Sequence, residues 1–357
     1  MPSDPLVLDP REGDVPGLRP WIAFQQVLAR LPQQAARALS ACDGDPVAAL
    51  RRCRLPPPRP DEVERSLAAL RRVGARLVPL CSPAYPWRLA QLPDPAPVLS
   101  VIGDLEALSS PCVAMVGARA ASAYGLRVAH QLACELARAG LVIVSGLARG
   151  IDAAAHAGAL AAGGRTVAVQ ACGPDQVYPR AHRQLAGRIA ASGALVSEFP
   201  PGTPPLRAHF PLRNRLISGL CQALIVVEAR ERSGSLISAR LALTQGADVF
   251  AVPGPIDAPT SLGSNRLLRD GAWPVLEAAD VLEVLGSSLP VPAARPAPPG
   301  SQQAGPIVAA LERAPASRDE LARVLDRTPE SLALALLDLE IEGRVVRDRD
   351  GRFRLVP

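Results

Sequence analysis

The feature that most constrains this chain is an alternation of apolar runs and helical patterns across residues 111–272. The apolar runs are short and unbroken, at 112–117, 141–145, 166–171, 194–197, 223–227 and 248–252. Strands that are apolar along their whole length belong in a parallel sheet whose two faces are both covered by crossover helices. The pattern therefore predicts a doubly wound α/β domain in the middle of the chain.

The flanking segments have different patterns. Residues 19–75 are typical of short helices, and one clear helix over 61–73 lies between Pro60 and Gly74. After the α/β region come a proline- and alanine-rich stretch, three helical patterns and a β-hairpin pattern, which together predict a winged helix-turn-helix. We predict an N-terminal helical (SAM/helix-hairpin-helix-like) domain, a Rossmann-like domain, a linker and a winged helix, at 1–80, 81–286, 287–305 and 306–357.

Positive charge is concentrated in the middle of the chain. The formal net charge is +5 over 357 residues, but residues 111–272 hold 16 basic and 9 acidic side chains, a net charge of +7. Every basic residue is an arginine. A polyanionic partner is therefore expected to bind the α/β region first.

Several classes of protein are disfavoured by the sequence. No apolar run approaches the roughly 18 residues of a membrane span, and residues 1–14 lack the basic and apolar regions of a secretion signal. The seven cysteines are scattered and form no CxxC pair, which disfavours a disulfide framework or a zinc site. We expect a cytoplasmic protein without a metal or other cofactor.

Glycine, serine and arginine recur in the loops that follow the predicted strands. Gly117, Arg119 and Ser122 follow the first strand, Arg149 follows the second, and Ser233 and Gly234 follow the fifth. Glycine lets the backbone approach a ligand, helix N-termini offer free N–H groups, and guanidinium groups suit phosphate. Several such loops at one sheet edge favour a phosphate or nucleic-acid site, although any one of them is equally compatible with a tight strand-to-helix turn.

A second cluster lies at residues 207–215, where Arg207, Phe210, Arg213 and Asn214 begin a predicted helix. Arginines on phosphates and one aromatic ring under a base are the chemistry expected for single-stranded nucleic acid. The alternative is a helix start with solvated arginines and Phe210 in the core, and the cluster alone does not separate the two.

Two acidic residues carry further hypotheses. Asp152 precedes His156 by one helical turn, a spacing that suits an acid/base pair but favours a helix cap with a hydrogen-bonded histidine. Glu228 ends an apolar run, where it could serve a hydrolase or bind ribose or loop amides.

The ordered motifs of residues 80–275 resemble the bacterial DNA-processing protein A (DprA/Smf) family. The matching runs are VAMVGARAASAYG (113–125), VSGLARGIDAAAH (144–156), VYP (177–179), SEFPPGT (197–203), HFPLRNRLISGL (209–220), IVVEARERSGSLISARLAL (225–243), VFAVPGPI (249–256) and GSNRLLRDGA (263–272). The resemblance departs at Ala118, where the family usually has a hydroxyl residue, and at residues 170–175, whose loop lacks the family's first glycine.

The resemblance implies an extended Rossmann-like domain that binds single-stranded DNA, forms a homodimer and helps to load the RecA recombinase. It also implies a part in natural transformation, where incoming single strands are protected and single-strand-binding protein is displaced. It places the DNA-contacting pocket on Gly117, Arg119, Phe210, Arg213 and Asn214. Arg207 lies where the family commonly has a basic residue, and Arg149 is added on charge and position.

The predicted function is thus a non-catalytic, single-stranded DNA-binding recombination mediator. The alternative is a nucleotide phosphate-binding hydrolase of the phosphoribohydrolase kind on a related fold. Such enzymes carry a PGGxGTxxE loop, whereas residues 232–237 read RSGSLI, without the paired glycines and the glutamate. A winged-helix transcription regulator is a third reading, which the near-neutral charge of residues 305–357 disfavours.

Overall fold

A computed structural model of the chain shows two compact units, residues 1–291 and 292–357. The structure describes residues 7–10, 17–28, 32–53, 56–286, 307, 310–311, 314, 316–325, 332, 336, 339, 345–348 and 352–355. Among these residues, no helix is both long and apolar enough to cross a lipid bilayer.

Four helices form the N-terminal part of the first unit: α1 (Leu18–Leu28), α2 (Pro32–Ser40), α3 (Pro46–Arg52) and α4 (Pro60–Val73). The helix predicted over 61–73 is confirmed as α4, which starts with a proline and ends at Gly74, whose φ of 64° lies in the left-handed region. Apolar side chains of these helices, such as Phe24 and Leu70, share a core with Leu77 and Val98 of the adjoining sheet. The N-terminal helices therefore pack directly on the first two strands.

One nine-stranded sheet organises the first unit. Its strands are β1 (Arg76–Pro79), β2 (Val98–Gly103), β3 (Cys112–Val116), β4 (Val142–Ser145), β5 (Thr166–Val169), β6 (Ala194–Ser197), β7 (Ala223–Val226), β8 (Asp248–Ala251) and β9 (Trp273–Pro274). Their order is β1-β2-β6-β5-β4-β3-β7-β8-β9, antiparallel at the β1–β2 and β2–β6 pairs and parallel elsewhere. All six predicted strands are confirmed, and β1, β2 and β9 extend the sheet at its two edges.

Helices cover both faces of this sheet: α5 (Trp87–Ala90), α6 (Ala123–Arg138), α7 (Ile151–Ala161), α8 (Arg183–Ser192), α9 (His209–Leu220), α10 (Gly234–Thr244), α11 (Leu262–Arg269) and α12 (Ala278–Leu285). Val113 and Met115 of β3 pack in the core beneath α6 and α7. Ala114 and Val116 of the same strand pack in the opposite core, beneath α9 and α10. Both faces of β3 are buried, which explains why the strand is apolar at every position.

The chain reverses its direction of travel across the sheet at β3. From β3 it moves through β4 and β5 to β6 on one side, and it then returns to place β7 on the other side of β3. Val113 lies opposite Ala223 and Val116 opposite Val226 in this parallel pair. The carboxyl ends of β3 and β7 therefore flank a topological switch point, where open α/β sheets form a ligand-binding crevice.

The second unit contains α13 (Arg318–Leu325) and an antiparallel pair, β10 (Val345–Arg347) and β11 (Phe353–Leu355), with Val345 opposite Leu355. A small core joins Leu321, Leu336 and Phe353. These elements confirm one helix and the β-hairpin of the predicted winged helix. The predicted linker at 287–305 lies outside the described residues, as do most positions of the predicted helices around 305–314 and 329–342.

Candidate nucleic-acid interface

A groove of about 320 Å³ opens at the switch point. Its walls come from the loops after β3, β4 and β7 and from the first turns of α9 and α10. Seven of the ten predicted site residues line it: Gly117, Arg119, Phe210, Arg213, Asn214, Ser233 and Gly234. The tertiary structure thus brings together loops that are more than 100 residues apart in the sequence.

The other three predicted residues do not line the groove. Ser122 caps α6, because its Oγ accepts a hydrogen bond from the Gly125 amide over 3.0 Å. Arg149 is an exposed residue of the loop after β4, and Arg207 is exposed just before α9. Neither arginine forms an ion pair with any residue in the described ranges.

Arg119 is an exposed cation of the groove. Its guanidinium carbon lies 4.8 Å from the centroid of the Phe210 ring, within the range of a cation–π contact. It has no ion-pair partner among the residues that the structure describes. The contact with Phe210 orients the guanidinium and leaves it positively charged. Its N–H donors remain available, and two of the five are enough to bind a phosphate.

Glu228 holds the loop that carries Arg119. Its carboxylate is buried at the end of β7 and accepts hydrogen bonds from the Ser122 amide over 2.9 Å and from the Ser122 hydroxyl over 2.5 Å. Each carboxylate oxygen therefore receives one donor from the β3 loop. Of the roles considered for Glu228, the structure supports binding of loop amides.

Arg213 is enclosed rather than exposed. Only 3% of the residue is accessible, and its Nη1 donates a hydrogen bond to the main-chain oxygen of Val169 over 2.7 Å. Burial lowers the pKa of Arg213 to about 10, an effect that the nearby Asp152 opposes, so the side chain remains a cation at neutral pH. Arg213 is predicted to contact DNA directly, but little of its surface is accessible for such a contact.

Gly146 provides the space that Arg213 occupies. A Cβ atom at this glycine would overlap the Arg213 guanidinium. The Gly146 amide also donates to Asp152 Oδ2 over 3.1 Å, and the Ala148 amide donates to the same oxygen over 3.3 Å. Asp152 therefore caps the β4 loop, and burial raises the pKa of its carboxyl. The helix-cap prediction for Asp152 is wrong, because Gly150 is the N-cap of α7 and Asp152 binds amides of the preceding loop instead.

His156 lies beneath this loop, fully buried. The Thr166 hydroxyl donates to the Ile143 carbonyl over 2.6 Å, so it accepts from His156 Nδ1 over 2.7 Å. Burial lowers the pKa of His156 to about 3, which keeps the imidazole neutral. It is a core histidine with a hydrogen bond, as the sequence favoured, and no acid/base pair with Asp152 forms.

Arg215 anchors the helix that carries the second cluster. Its guanidinium donates to both carboxylate oxygens of Glu198, over 3.0 and 2.6 Å, and to Asp94 over 3.0 Å. Burial raises the pKa of Glu198, while the charge of Arg215 lowers it. The arginines of α9 are therefore buried rather than solvated, contrary to the alternative weighed for the 207–215 cluster. Sequence reasoning missed this network, because Glu198 and Asp94 lie in other segments.

Phe210 is half-buried at the start of α9, between Arg119 and a second aromatic ring. Tyr178, in the loop after β5, contacts it edge-on, with ring centroids 5.7 Å apart and an interplanar angle of 63°. Arg230 and Arg232, which follow β7, complete the basic lining on the other side of the groove. The site combines exposed guanidinium groups with a partly open aromatic surface. Within the described ranges, no group of three or more His, Cys, Asp or Glu side chains could hold a metal ion.

Two family models match the chain. The model described as DNA recombination-mediator protein A matches residues 76–286, and the model of the DprA winged helix domain matches residues 291–351. The first match spans the whole sheet and every residue of the groove, and the second covers most of the C-terminal unit.

Curated relatives agree with these matches. DNA processing protein DprA of Bacillus subtilis (strain 168) is 45% identical over 225 residues, which are 63% of this chain and 76% of the relative. Protein Smf of Escherichia coli (strain K12) is 47% identical over 224 residues, which are 62% of this chain and 60% of the relative.

Two solved structures share the fold. DNA processing protein A (DprA) from Streptococcus pneumoniae is 35% identical, with a TM-score of 0.61, and the match covers 74% of this chain and 92% of that one. DNA processing protein A from Helicobacter pylori, described for its single-stranded DNA binding mode, is 33% identical with a TM-score of 0.52, covering 56% of this chain and 92% of that one. Taken with the groove at the switch point, the matched domains place this chain in the DNA recombination-mediator protein A family.

Proposed function

We propose that this protein binds single-stranded DNA along the groove at the switch point and acts as a non-catalytic recombination mediator. The observation that carries the proposal is the pairing of Arg119 with Phe210, an exposed cation without an ion-pair partner among the described residues, held over a half-buried ring. Phosphate and base chemistry then lie side by side, which is what an unpaired strand presents. The single-stranded DNA binding of the Helicobacter pylori relative supports the same reading.

The backbone of the groove adds to its affinity for phosphate. The N-termini of α7 and α10 open at the carboxyl edge of the sheet, where main-chain N–H groups carry partial positive charge. Ser233 and Gly234 begin α10 at the groove wall, and Arg232 precedes them. We assign the phosphate contacts to these groups and to Arg119, with Arg149 and Arg207 as outlying contacts. Because few base edges can be read in this way, sequence preference should be slight.

Arg213 has a different part in the proposal. Its burial and its bond to the Val169 carbonyl make it a positioning residue, which holds α9 so that Phe210 and Asn214 face the groove. Its positive charge also lies in the groove wall and raises the local potential there.

The central experiment is a binding titration by fluorescence anisotropy. A labelled thymidine oligonucleotide and the corresponding duplex are titrated with the full chain at two salt concentrations. The single strand should bind more tightly than the duplex, and its affinity should fall steeply with salt as counterions are released. Equal affinity for the two forms, or no dependence on salt, would contradict the proposal.

The absence of catalysis is also part of the proposal. Glu228, a candidate base in the hydrolase alternative, already accepts a hydrogen bond at each oxygen from Ser122. Incubation with nucleoside monophosphates should therefore release no free base. Turnover that depends on Glu228 would overturn this part of the proposal.

The wider role rests on the family resemblance. We propose that the protein works in the cytoplasm as a homodimer, displaces single-strand-binding protein and loads RecA during natural transformation. Addition of the protein should shorten the lag of RecA-dependent ATP hydrolysis on a strand coated with single-strand-binding protein. Light scattering should give twice the 37.4 kDa mass of the chain. An unchanged lag would contradict RecA loading, and a monomeric mass would contradict the homodimer.

A further inference from the structure

The three tyrosines of this chain have different surroundings. Tyr85 is buried and donates a hydrogen bond to the Ala96 carbonyl over 2.7 Å. Tyr124 donates to the Pro253 carbonyl over 3.2 Å. No residue that the structure describes accepts a hydrogen bond from Tyr178, a residue that is 45% exposed. The first two hydroxyls have a structural use, whereas Tyr178 presents a ring to solvent.

Tyr178 lies where the proposed DNA site needs a further ring. Phe210 is contacted by the guanidinium of Arg119 at 4.8 Å and, more distantly, by that of Arg213 at 6.0 Å. Part of the Phe210 ring is therefore already covered by cations. The edge-on contact with Tyr178 continues the aromatic surface outward, from a half-buried ring to an exposed one.

The loop that carries Tyr178 lies to one side of the groove. This loop follows β5, and the order β5-β4-β3-β7 places it two strands from β3 on the side away from β7. At about 4.8 Å between neighbouring strands, the path from β7 to β5 is roughly 14 Å long, enough for two to three nucleotides of an extended strand. Arg180 and Arg183 follow Tyr178, are exposed, and have no ion-pair partner among the described residues.

We propose that Tyr178 is a nucleobase-contacting residue, whose exposed ring continues the surface begun by Phe210 and carries the bound strand across the loops after β4 and β5. The inference rests on the proposed single-stranded DNA binding and assigns a second stacking position to that site. Stacking on a tyrosine is tolerant of sequence, because every base has a π-face. The hydroxyl has no necessary part in it.

The test compares four proteins on two strands. Wild type, Tyr178→Ala, Tyr178→Phe and the control Tyr124→Ala are titrated with a thymidine oligonucleotide and with an abasic strand of the same length. Tyr178→Ala should weaken binding of the thymidine strand about 5- to 100-fold. Tyr178→Phe and Tyr124→Ala should bind like wild type, and all four proteins should bind the abasic strand equally.

A second measurement does not depend on a variant. A strand that contains iododeoxyuridine is irradiated in complex with the wild-type protein, and the cross-linked peptide is identified by mass spectrometry. Attachment at Tyr178 is expected, and attachment confined to other residues would contradict the inference even if Tyr178→Ala proved unstable.

The outcomes separate this inference from the proposed function. If wild type binds the thymidine strand and Tyr178→Ala binds it equally well, the assignment of Tyr178 fails while single-stranded DNA binding stands. An equal loss by Tyr178→Ala on both strands would assign Tyr178 to the backbone path and also overturn base contact. If wild type binds neither strand, the proposed function itself fails.

Discussion

Nη1 of Arg213 donates a hydrogen bond to the main-chain oxygen of Val169 over 2.7 Å, which joins α9 to the end of β5. The bond crosses from a helix that carries Phe210 and Asn214 to a strand of the central sheet. It therefore ties the helix that bears those two side chains to the sheet. Arg119, which contacts the Phe210 ring, remains at the surface.

Replacement of Arg213 should affect stability before it affects DNA. Arg213→Ala leaves the Val169 carbonyl without its donor and is expected to lower the free energy of unfolding by about 2 kcal/mol. Urea denaturation followed by circular dichroism measures this loss, and affinity for the thymidine strand should fall in parallel. A variant with wild-type stability but weakened binding would instead identify Arg213 as a direct DNA contact.

Gly146→Ala should produce a related defect through lack of space. The added methyl group overlaps the Arg213 guanidinium, and such overpacking costs about 1–3 kcal/mol. Gly187→Ala is the matched control, because Gly187 lies in α8 with nothing within 4 Å of the added methyl group. The control should be neutral or stabilised by about 0.5–1 kcal/mol. Urea denaturation measures the free energy of unfolding of both variants. Equal values would show that the surroundings of Gly146 accommodate the methyl group without loss of stability.

Arg119→Ala should weaken DNA binding without loss of stability. Because the side chain is exposed, urea denaturation should give the wild-type result. The plot of log affinity against log salt should become shallower by about 0.7, the value for one phosphate contact on a single strand. The control is Arg138→Ala, at the end of α6 and hence at the opposite edge of the sheet. If Arg119→Ala leaves the salt dependence of binding unchanged, Arg119 does not contact a phosphate.

His156 should make the protein less stable in mild acid. Its pKa is about 3 in the folded chain and about 6.5 when unfolded, so the unfolded state binds the extra proton first as pH falls. Stability is therefore lost below about pH 6.5, by about 2 kcal/mol at about pH 5. His156→Gln should remove this part of the pH dependence, whereas His130→Gln, at an exposed position, should retain it. Parallel pH profiles for wild type and His156→Gln in urea denaturation would contradict the assignment.

The alternation of apolar runs determined the class of fold. All six expected strands formed, because a run that is apolar on both faces is stable only between two layers of helices. The parallel arrangement also explains why the predicted loops lie close together, since the carboxyl ends of parallel strands share an edge of the sheet. The alternation did not predict strands β1, β2 and β9. β1 and β2 lie in a proline-rich segment, and β9 has only two residues.

Residue types and their spacing thus determined the sheet and the composition of its loops, because both depend on local polarity and backbone preference. Only the tertiary structure decided which arginines are free. Arg213 and Arg215 are buried by groups in distant segments, Val169 and Glu198, while Arg119 is left in solvent. It also placed Tyr178 beside Phe210, a contact between a loop and the first turn of α9 that no local pattern encodes. Burial and long-range contact depend on how the whole chain packs, and the local sequence around a residue does not contain them.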